Sequence, residues 1–321
     1  MNFVFLMDPL STVIVEKDTT FIFMVGAHRK GHNIYYLPQG GMTRQNGQTY
    51  FHATKLIPVK NKQQPFIDLQ PTTLTEQEVD CLFIRTDPPF DYNYLMSTWM
   101  ADLLSTKIAI INNPNGIRTV NEKVWATQFT NLMPPTLVGR NKNDIMDFIK
   151  TEGDVIAKPT DGHGGKSIFH IDENDRNTNA ILETLSDHWR RDIILQKYIP
   201  ESAQGDKRIL LLNGECVGAV LRVHGKDDHR NNFFAGGKPE KTQLTARDGE
   251  IIETLKPHLQ KLGLYFVGID VLGNYLTEVN VTSPTCVQEI NALYNLQIED
   301  QVIEFAEKLI DQKKSEATIS N

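Results

Sequence analysis

Cysteine, basic charge and long apolar runs are all scarce in this 321-residue sequence, and each scarcity excludes a class of function. The cysteines, Cys81, Cys216 and Cys286, lie far apart. No spacing among them suits a metal cluster or a disulfide framework, so a reducing cytoplasm is the expected setting. Lys and Arg number 33 against 40 Asp and Glu, a formal charge of -7, and no basic block stands out. Nucleic acid and anionic membrane are therefore not expected partners, although a local cationic site for a small anion remains open. The apolar FVFLM run near the N-terminus is closed at once by Asp8-Pro9. It is too short for a signal core or a membrane span. The first strand is not followed by G-x-G-x-x-G, so the dinucleotide fingerprint is missing. No internal repeat is visible.

What is present is a strand-helix alternation. NFVFLMDP reads as a buried strand, Asp18 as the N-cap of a helix closed by Gly31, and NIYYL as the next strand. CLFIRTD, the helix YNYLMSTWMADLL and the strand KIAIINNP complete an α/β region. The first boundary falls near Pro114 to Arg118, giving a domain of 1–117. A second unit, 118–200, holds an amphipathic helix NEKVWATQF, the break Pro134-Pro135 and the helix NDIMDFIK. The strand DVIAKP, the loop TDGHGGKS, the strand SIFHID, the helix TNAILETLSDHW and the strand DIILQKYIP follow. A third unit, 201–315, holds a hairpin turning at Asn213-Gly214, a polar loop, a helix ending near Gly263, and the strands YFVGIDVL and YLTEVNV. The helix IEDQVIEFAEKLI runs into a tail, 316–321, expected to fray. The fold class is mixed α/β and α+β.

TDGHGGKS ends like a P-loop in Gly165-Lys166-Ser167, but Thr160 stands where the first glycine belongs. A strand rather than a helix follows, so the loop reads as a β-hairpin tip carrying Gly162, Gly164 and Gly165. A plain flexible hairpin and a cover over phosphates both fit, and Lys158 beside the glycines favours the second. Lys123 alone reads as a solvated lysine. Asp206, Lys207 and Arg208 read as surface charge as readily as a site.

The last unit is more specific. Asp270 lies among apolar residues in FVGIDVL, and Glu278 and Asn280 share a strand face. Burying a carboxylate is costly unless it is paired or metal-bound, and oxygen donors on adjacent strands suit Mg²⁺. Hydrogen bonding at a sheet edge is the structural alternative. The two readings differ in register. A two-residue turn at Gly273-Asn274 pairs Leu272 with Tyr275 and sets Asp270 against Thr277. A three-residue turn, or an equivalent bulge, sets Asp270 against Glu278, as the metal reading requires.

Taken together, RTDPPFD (85–91), NEK (121–123), AKPTDGHGGKSIF (157–169), GDKR (205–208), AGG (235–237), FVGIDVLG (266–273) and LTEVNVTSPT (276–285) resemble bacterial-type glutathione synthetase, an ATP-grasp ligase family. The likeness spans nearly the whole chain in order. It implies an ATP-grasp fold with an N-terminal Rossmann-like domain, and ATP-dependent joining of γ-glutamylcysteine to glycine through an acyl phosphate. It implies that Asp270, Glu278 and Asn280 hold two Mg²⁺ ions, with Mn²⁺ a possible substitute. It assigns Lys123, Lys158, Asp206, the loop glycines and the segment Gln196, Lys197, Tyr198 and Ile199 to ATP, with backbone groups of that segment reading the base. Arg222 falls beside the transferring phosphoryl group. Arg85, Arg230, Ser283, Pro284 and Thr285 fall on the amino-acid substrates.

The loop 224–237 resembles a lid, and its His224 and His229 read as surface histidines rather than metal ligands. Cys286, before a helix, could have a lowered thiol pKa, but a small core residue is the default. The resemblance also implies a homo-oligomer, usually a tetramer. Another ATP-grasp peptide-like ligase, a non-catalytic ATP-binding module and a P-loop NTPase are the competing readings.

Overall fold

The computed structural model of the protein describes residues 1–162, 164–172, 174–223 and 237–319. β1 (Asn2–Leu6), α1 (Thr19–Arg29) and β2 (Asn33–Leu37) open the chain. Asp18 caps α1 as expected, accepting from the Phe21 N–H at 2.7 Å. β3 (Met42–Gln45), β4 (Gln48–Pro58) and β5 (Phe66–Thr75) follow as an antiparallel meander to which the sequence reading assigned no elements. The signal was there: Asn46-Gly47, both at positive φ, form the hairpin turn between β3 and β4. β6 (Cys81–Ile84), α2 (Tyr92–Asp102), β7 (Ala109–Ile111) and α3 (Pro114–Thr119) complete the unit. The sheet runs β3-β4-β2-β1-β6-β7 with β5 on β4; its β2-β1-β6-β7 portion is parallel.

β8 (Thr136–Gly139), α4 (Lys142–Glu152), β9 (Val155–Pro159), β10 (Phe169–Ile171), α5 (Thr178–Leu185) and β11 (Ile193–Lys197) form an antiparallel sheet ordered β10-β9-β11-β8. It has its own core, including Ile145, Val155, Leu182 and Leu195. The third sheet, β14-β13-β12-β15-β16, uses β12 (Asp206–Leu212), β13 (Glu215–Val223), β14 (Lys238–Glu240), β15 (Phe266–Leu272) and β16 (Tyr275–Asn280). α6 (Ala246–Lys261), α7 (Val287–Tyr294) and α8 (Ile298–Ile319) flank it. Val4, Ile84 and Ile117 pack in one core with Ile269, Val279 and Val281, so the first and third sheets share apolar contacts. Asn112 stitches that seam: its amide donates to Phe266 O and Val281 O at 2.7 and 2.9 Å and accepts from Phe266 N–H at 2.7 Å.

Three expected elements differ. NEKVWATQF is not an α-helix; Asn121 accepts from the Lys123 and Val124 N–H groups, and only a 3-10 turn, Trp125–Gln128, forms. α5 stops at Leu185, because Asp187, His188 and Trp189 adopt positive φ. The tail does not fray at 316: α8 continues to Ile319, supported by Gln312–Glu316 and by Lys314 on Asp80. The Asn213-Gly214 turn forms as expected, pairing Leu212 with Glu215.

Candidate active site

A cavity of about 460 Å³ lies between the second and third sheets and the turn at 282–285. β9 and β11 build one wall. Their antiparallel register sets Lys158 opposite Ile194, and the Lys158 ammonium reaches Gln196 Oε1 at 3.3 Å. Lys158 is 6% exposed, and burial pulls its pKa below the ordinary lysine value despite Glu278. β9 and β10 pair as a hairpin, so Gly162, Gly164 and Gly165 sit at its tip and line the cavity. Gly164 and Gly165 take φ of 64° and 74°, which a side chain would strain.

Lys123 comes from the NEK turn below. Its ammonium donates to Gly162 O at 2.6 Å and faces Glu278 at 3.4 Å. Burial opposes its charge, but Glu278 and Glu122 outweigh that and its pKa ends above the lysine norm. Gln196, Lys197, Tyr198 and Ile199 line the far end with Ile156 and Leu272. The Lys197 and Tyr198 N–H groups are spent on Pro135 O and Asp154 O, while the Ile199 N–H has no backbone acceptor among the described residues.

The third sheet supplies a charged floor. Asp270 is 4% exposed and sits between Arg208 and Arg222. Arg208 holds it in a fork, Nε to Oδ1 and Nη2 to Oδ2, the latter at 2.9 Å; Arg222 Nη2 approaches Oδ2 at 2.9 Å. Arg222 also forks onto Asp206, with Nε to Oδ1 at 2.9 Å. Burial works against Asp270, but both guanidinium groups hold its carboxyl well below the usual range. Asp206, half-buried on the same floor, is pushed up instead, because desolvation and the neighbouring Asp270 charge outweigh Arg222 and Arg208. Asp206, which the resemblance assigned to ATP, and Arg208, left open between surface charge and a site, thus form the floor together, and Arg208 lines the cavity although the sequence reading gave it no role. Alternation along β12 carries the signal: Asp206 and Arg208 share a face.

Asp270 faces Glu278 and Gly268 faces Asn280. Asn280 Nδ2 donates to Gly268 O at 3.2 Å. Among the described residues no three His, Cys, Asp or Glu side chains are placed to hold a metal, so the candidate set is two carboxylates and one carboxamide. These hard oxygens fit Mg²⁺ in chemistry. Among the described residues Asp270 Oδ1 accepts from Arg208 alone, and a carboxylate oxygen with one bond keeps a lone pair.

The turn after β16 forms the remaining wall. Glu122, not singled out from the sequence, accepts at Oε1 from Val281 N–H, Thr282 N–H and Thr282 Oγ1 at 2.9, 3.1 and 2.8 Å. Its carbonyl accepts from Val279 N–H at 2.8 Å. Ser283 Oγ donates to Asp87 Oδ1 at 2.5 Å, and Ser283, Pro284 and Thr285 line the cavity. Arg85 lies behind that turn, 5% exposed, donating to Pro284 O at 2.9 Å and to Thr20 Oγ1 at 3.1 Å. Cys286 is buried, and burial raises its thiol pKa rather than lowering it. Arg230, His224 and His229, with the rest of 224–236, lie outside the described residues.

Residues 1–118 match the N-terminal domain model of prokaryotic glutathione synthetase, and residues 122–295 match its ATP-grasp domain model. A glutathione synthetase of Synechocystis sp. is 39% identical over 318 residues, covering 96% of this chain and 99% of that one. Among solved structures, the D-cycloserine synthetase DcsG matches with a TM-score of 0.65 at 11% identity, over 97% of this chain and 99% of that one. The ATP-grasp ligase PsnB, in complex with a precursor variant, Mg and ADP, matches with a TM-score of 0.60 at 13% identity, over 97% and 98%. Such low identities carry the fold alone, which is ATP-grasp. No helix among the described residues is long and apolar enough to cross a membrane. Both domain models match in order and together cover most of the chain, which therefore belongs to the prokaryotic glutathione synthetase family.

Proposed function

We propose that the protein joins γ-glutamylcysteine to glycine, converting ATP to ADP and phosphate. The observation that carries this reading is the convergence of Lys123, Lys158 and Arg222 on the Asp270–Glu278–Asn280 face within one cavity. A carboxylate is a poor acyl donor until its oxygen becomes a good leaving group. The cysteinyl carboxylate oxygen attacks the γ-phosphorus while the bond to the β-phosphate oxygen breaks, releasing ADP. The neutral glycine amine then attacks the acyl carbon, the acyl C–O bond breaks, and phosphate departs with the amine proton.

Both steps gather negative charge in a small volume, so fixed cations do most of the work. Lys123 and Lys158 meet the phosphates under the Gly162–Gly164–Gly165 tip. Arg222, aimed by Asp206, meets the transferring phosphoryl group and the acyl oxygen. The Ile199 N–H reads the base. Asp270, Glu278 and Asn280 hold Mg²⁺, which when bound neutralises phosphate charge; Mn²⁺, also an oxygen-site ion, is a substitute. Ser283, Pro284 and Thr285 shape the dipeptide wall, with Arg85 acting through the turn it holds.

Three units, 1–117, 118–200 and 201–315, a cytoplasmic setting and a tetrameric assembly complete the proposal. The setting is supported by three free cysteines, the assembly by the family resemblance. An ADP-release assay with γ-glutamylcysteine tests the function, comparing glycine, β-alanine and serine. Glycine-dependent ADP release with one peptide bond formed per ADP is expected. No ADP release with any acceptor would overturn the ligase reading.

A further inference from the structure

The Pro134-Pro135 break is a sequence feature that the proposed chemistry leaves without a task. It presents two carbonyls to neighbouring groups. Pro135 O accepts the Lys197 N–H at 2.9 Å, and Pro134 O accepts the Thr136 hydroxyl at 2.8 Å. Thr136 opens β8 directly opposite Gln196 on β11, and its Oγ1 accepts from Gln196 Nε2 at 2.9 Å. Gln196 Oε1 in turn accepts from the Lys158 ammonium on β9 at 3.3 Å. One chain of hydrogen bonds thus runs from the break, across three adjacent strands, to a lysine in the cavity wall.

The direction of the chain follows from what each group can donate. An ammonium only donates, so the Gln196 atom facing Lys158 is the carbonyl oxygen. The Thr136 proton is spent on Pro134 O, so Thr136 offers Gln196 a lone pair, and a lone pair selects the amide NH₂. Both ends of the amide are therefore specified, and a flip would set NH₂ against the ammonium. Among the described residues Gln196 Oε1 is the one hydrogen-bond acceptor of that ammonium. The charged groups around it are Glu278 and Asp270, which favour the protonated form, and Lys123, which opposes it. Burial outweighs the two carboxylates, so an acceptor held on the ammonium bears on how long it stays charged as pH rises.

Thr136 does not line the cavity, whereas Gln196 does. We propose that Thr136 and Gln196 are positioning residues for Lys158: Thr136, anchored on Pro134, locks the Gln196 amide with its oxygen toward the ammonium and so holds Lys158 in its charged, phosphate-binding form. The Gln196 side chain then serves the phosphates through Lys158, while its backbone belongs to the base-reading segment. This rests on the nucleotide role of Lys158 proposed above.

The test is titration calorimetry of ATP binding against pH, with Mg²⁺ and without dipeptide, on wild type, Thr136→Val, Thr136→Ser and Gln196→Met. Valine keeps the β-branch and loses the hydroxyl, serine keeps the hydroxyl, and methionine keeps the length of glutamine without its amide. In wild type the Kd for ATP should rise at alkaline pH. In Thr136→Val and Gln196→Met the rise should begin at lower pH, because the ammonium has lost its fixed acceptor. Inside the wild-type rise these two variants should bind ATP about three- to tenfold more weakly than wild type, the worth of a hydrogen bond to a charged group, and near neutral pH within about twofold of it. Thr136→Ser should follow wild type, and in a Lys158→Arg background Thr136→Val should shift nothing. Gln196→Met decides the matter if Thr136→Val does not fold. A rise at the wild-type pH in both Thr136→Val and Gln196→Met overturns the inference, as does an equal shift in Thr136→Ser and Thr136→Val. None of these readouts involves ligation, so the inference can fail while ADP release still supports the ligase reading. Wild type that binds no ATP overturns both.

Discussion

Asp270 stands opposite Glu278 although the hairpin joining their strands turns one residue too early for that pairing. Leu272 pairs with Tyr275 across a two-residue turn, which alone would set Asp270 against Thr277. Thr277 is instead an extra residue on β16, and its Oγ1 donates to Asp270 O at 3.1 Å. The β12–β13 hairpin repeats the device: Leu211 pairs with Cys216 but Leu210 with Gly218, leaving Val217 extra, and so Asp206 comes to face Arg222. Bulges re-aim side chains near active sites, and here two of them align the charged floor.

Glu278 is the first residue to test on that floor. Glu278→Ala should lower Mg²⁺-dependent ADP release by at least about a hundredfold, since the residue serves the charge-stabilising face. Its side chain is part-exposed and, among the described residues, ion-pairs with Lys123 alone at 3.4 Å, so a cooperative thermal melt should persist. Near-normal Mg²⁺-dependent turnover would remove Glu278 from the metal set.

Asp270 should behave differently, because it is structural as well as chemical. Asp270→Asn leaves Arg208 and half of the Arg222 pairing without a counter-charge in a buried setting. Breaking such a pair from one side costs about 3–5 kcal/mol, so urea unfolding should show a clear loss of stability. Glu278→Ala should cost much less. Equal losses in the two variants would argue that the Arg208–Asp270–Arg222 cluster is not a stabilising unit.

How much of this was legible in the sequence depends on the range of the interaction. Local signals read well: the Asp18 cap, the Asn213-Gly214 turn, and the Lys158 strand running into glycines all appear where the residues place them. Register did not, because a bulge leaves no trace in period-two alternation, and Thr277 looks like any strand threonine. Arg208 was obscured for a related reason. Its partner Asp270 is 62 residues away and meets it only through the β12–β15 pairing. NEK was misread as helix because an amphipathic pattern cannot show that the Asn121 side chain will satisfy the first backbone donors itself.

That misread segment yields a prediction of its own. Glu122 accepts three hydrogen bonds at one oxygen from residues 281 and 282, so it fixes the turn that carries Ser283. Glu122→Ala should raise the KM for the dipeptide by about tenfold or more, the effect of losing bonds to a charged acceptor, and change the KM for ATP much less. Glu122→Gln, which keeps an acceptor oxygen, should recover most of the loss. Equal increases in both KM values would show that Glu122 serves the whole site and not the turn.

Lys158 makes the site sensitive to alkaline pH. Its pKa lies below the ordinary lysine value because burial disfavours the ammonium, while that of Lys123 lies above it. As pH rises, Lys158 therefore loses its proton first, and with it one positive charge meant for the phosphates. The KM for ATP should climb across a window that opens at the depressed Lys158 pKa. Nucleotide binding within that window should take up a proton, because bound phosphate favours the charged form. The sign for stability is opposite. A buried ammonium with a lowered pKa costs the empty protein stability below that pKa, so the unliganded fold should gain stability as pH rises from the folded value toward the unfolded one. Titration calorimetry in buffers of different ionisation enthalpy would read the proton uptake. Lys158→Arg, whose guanidinium does not titrate in this range, should abolish both the uptake and the alkaline rise in KM. Persistence of either in that variant would assign the titration to another group.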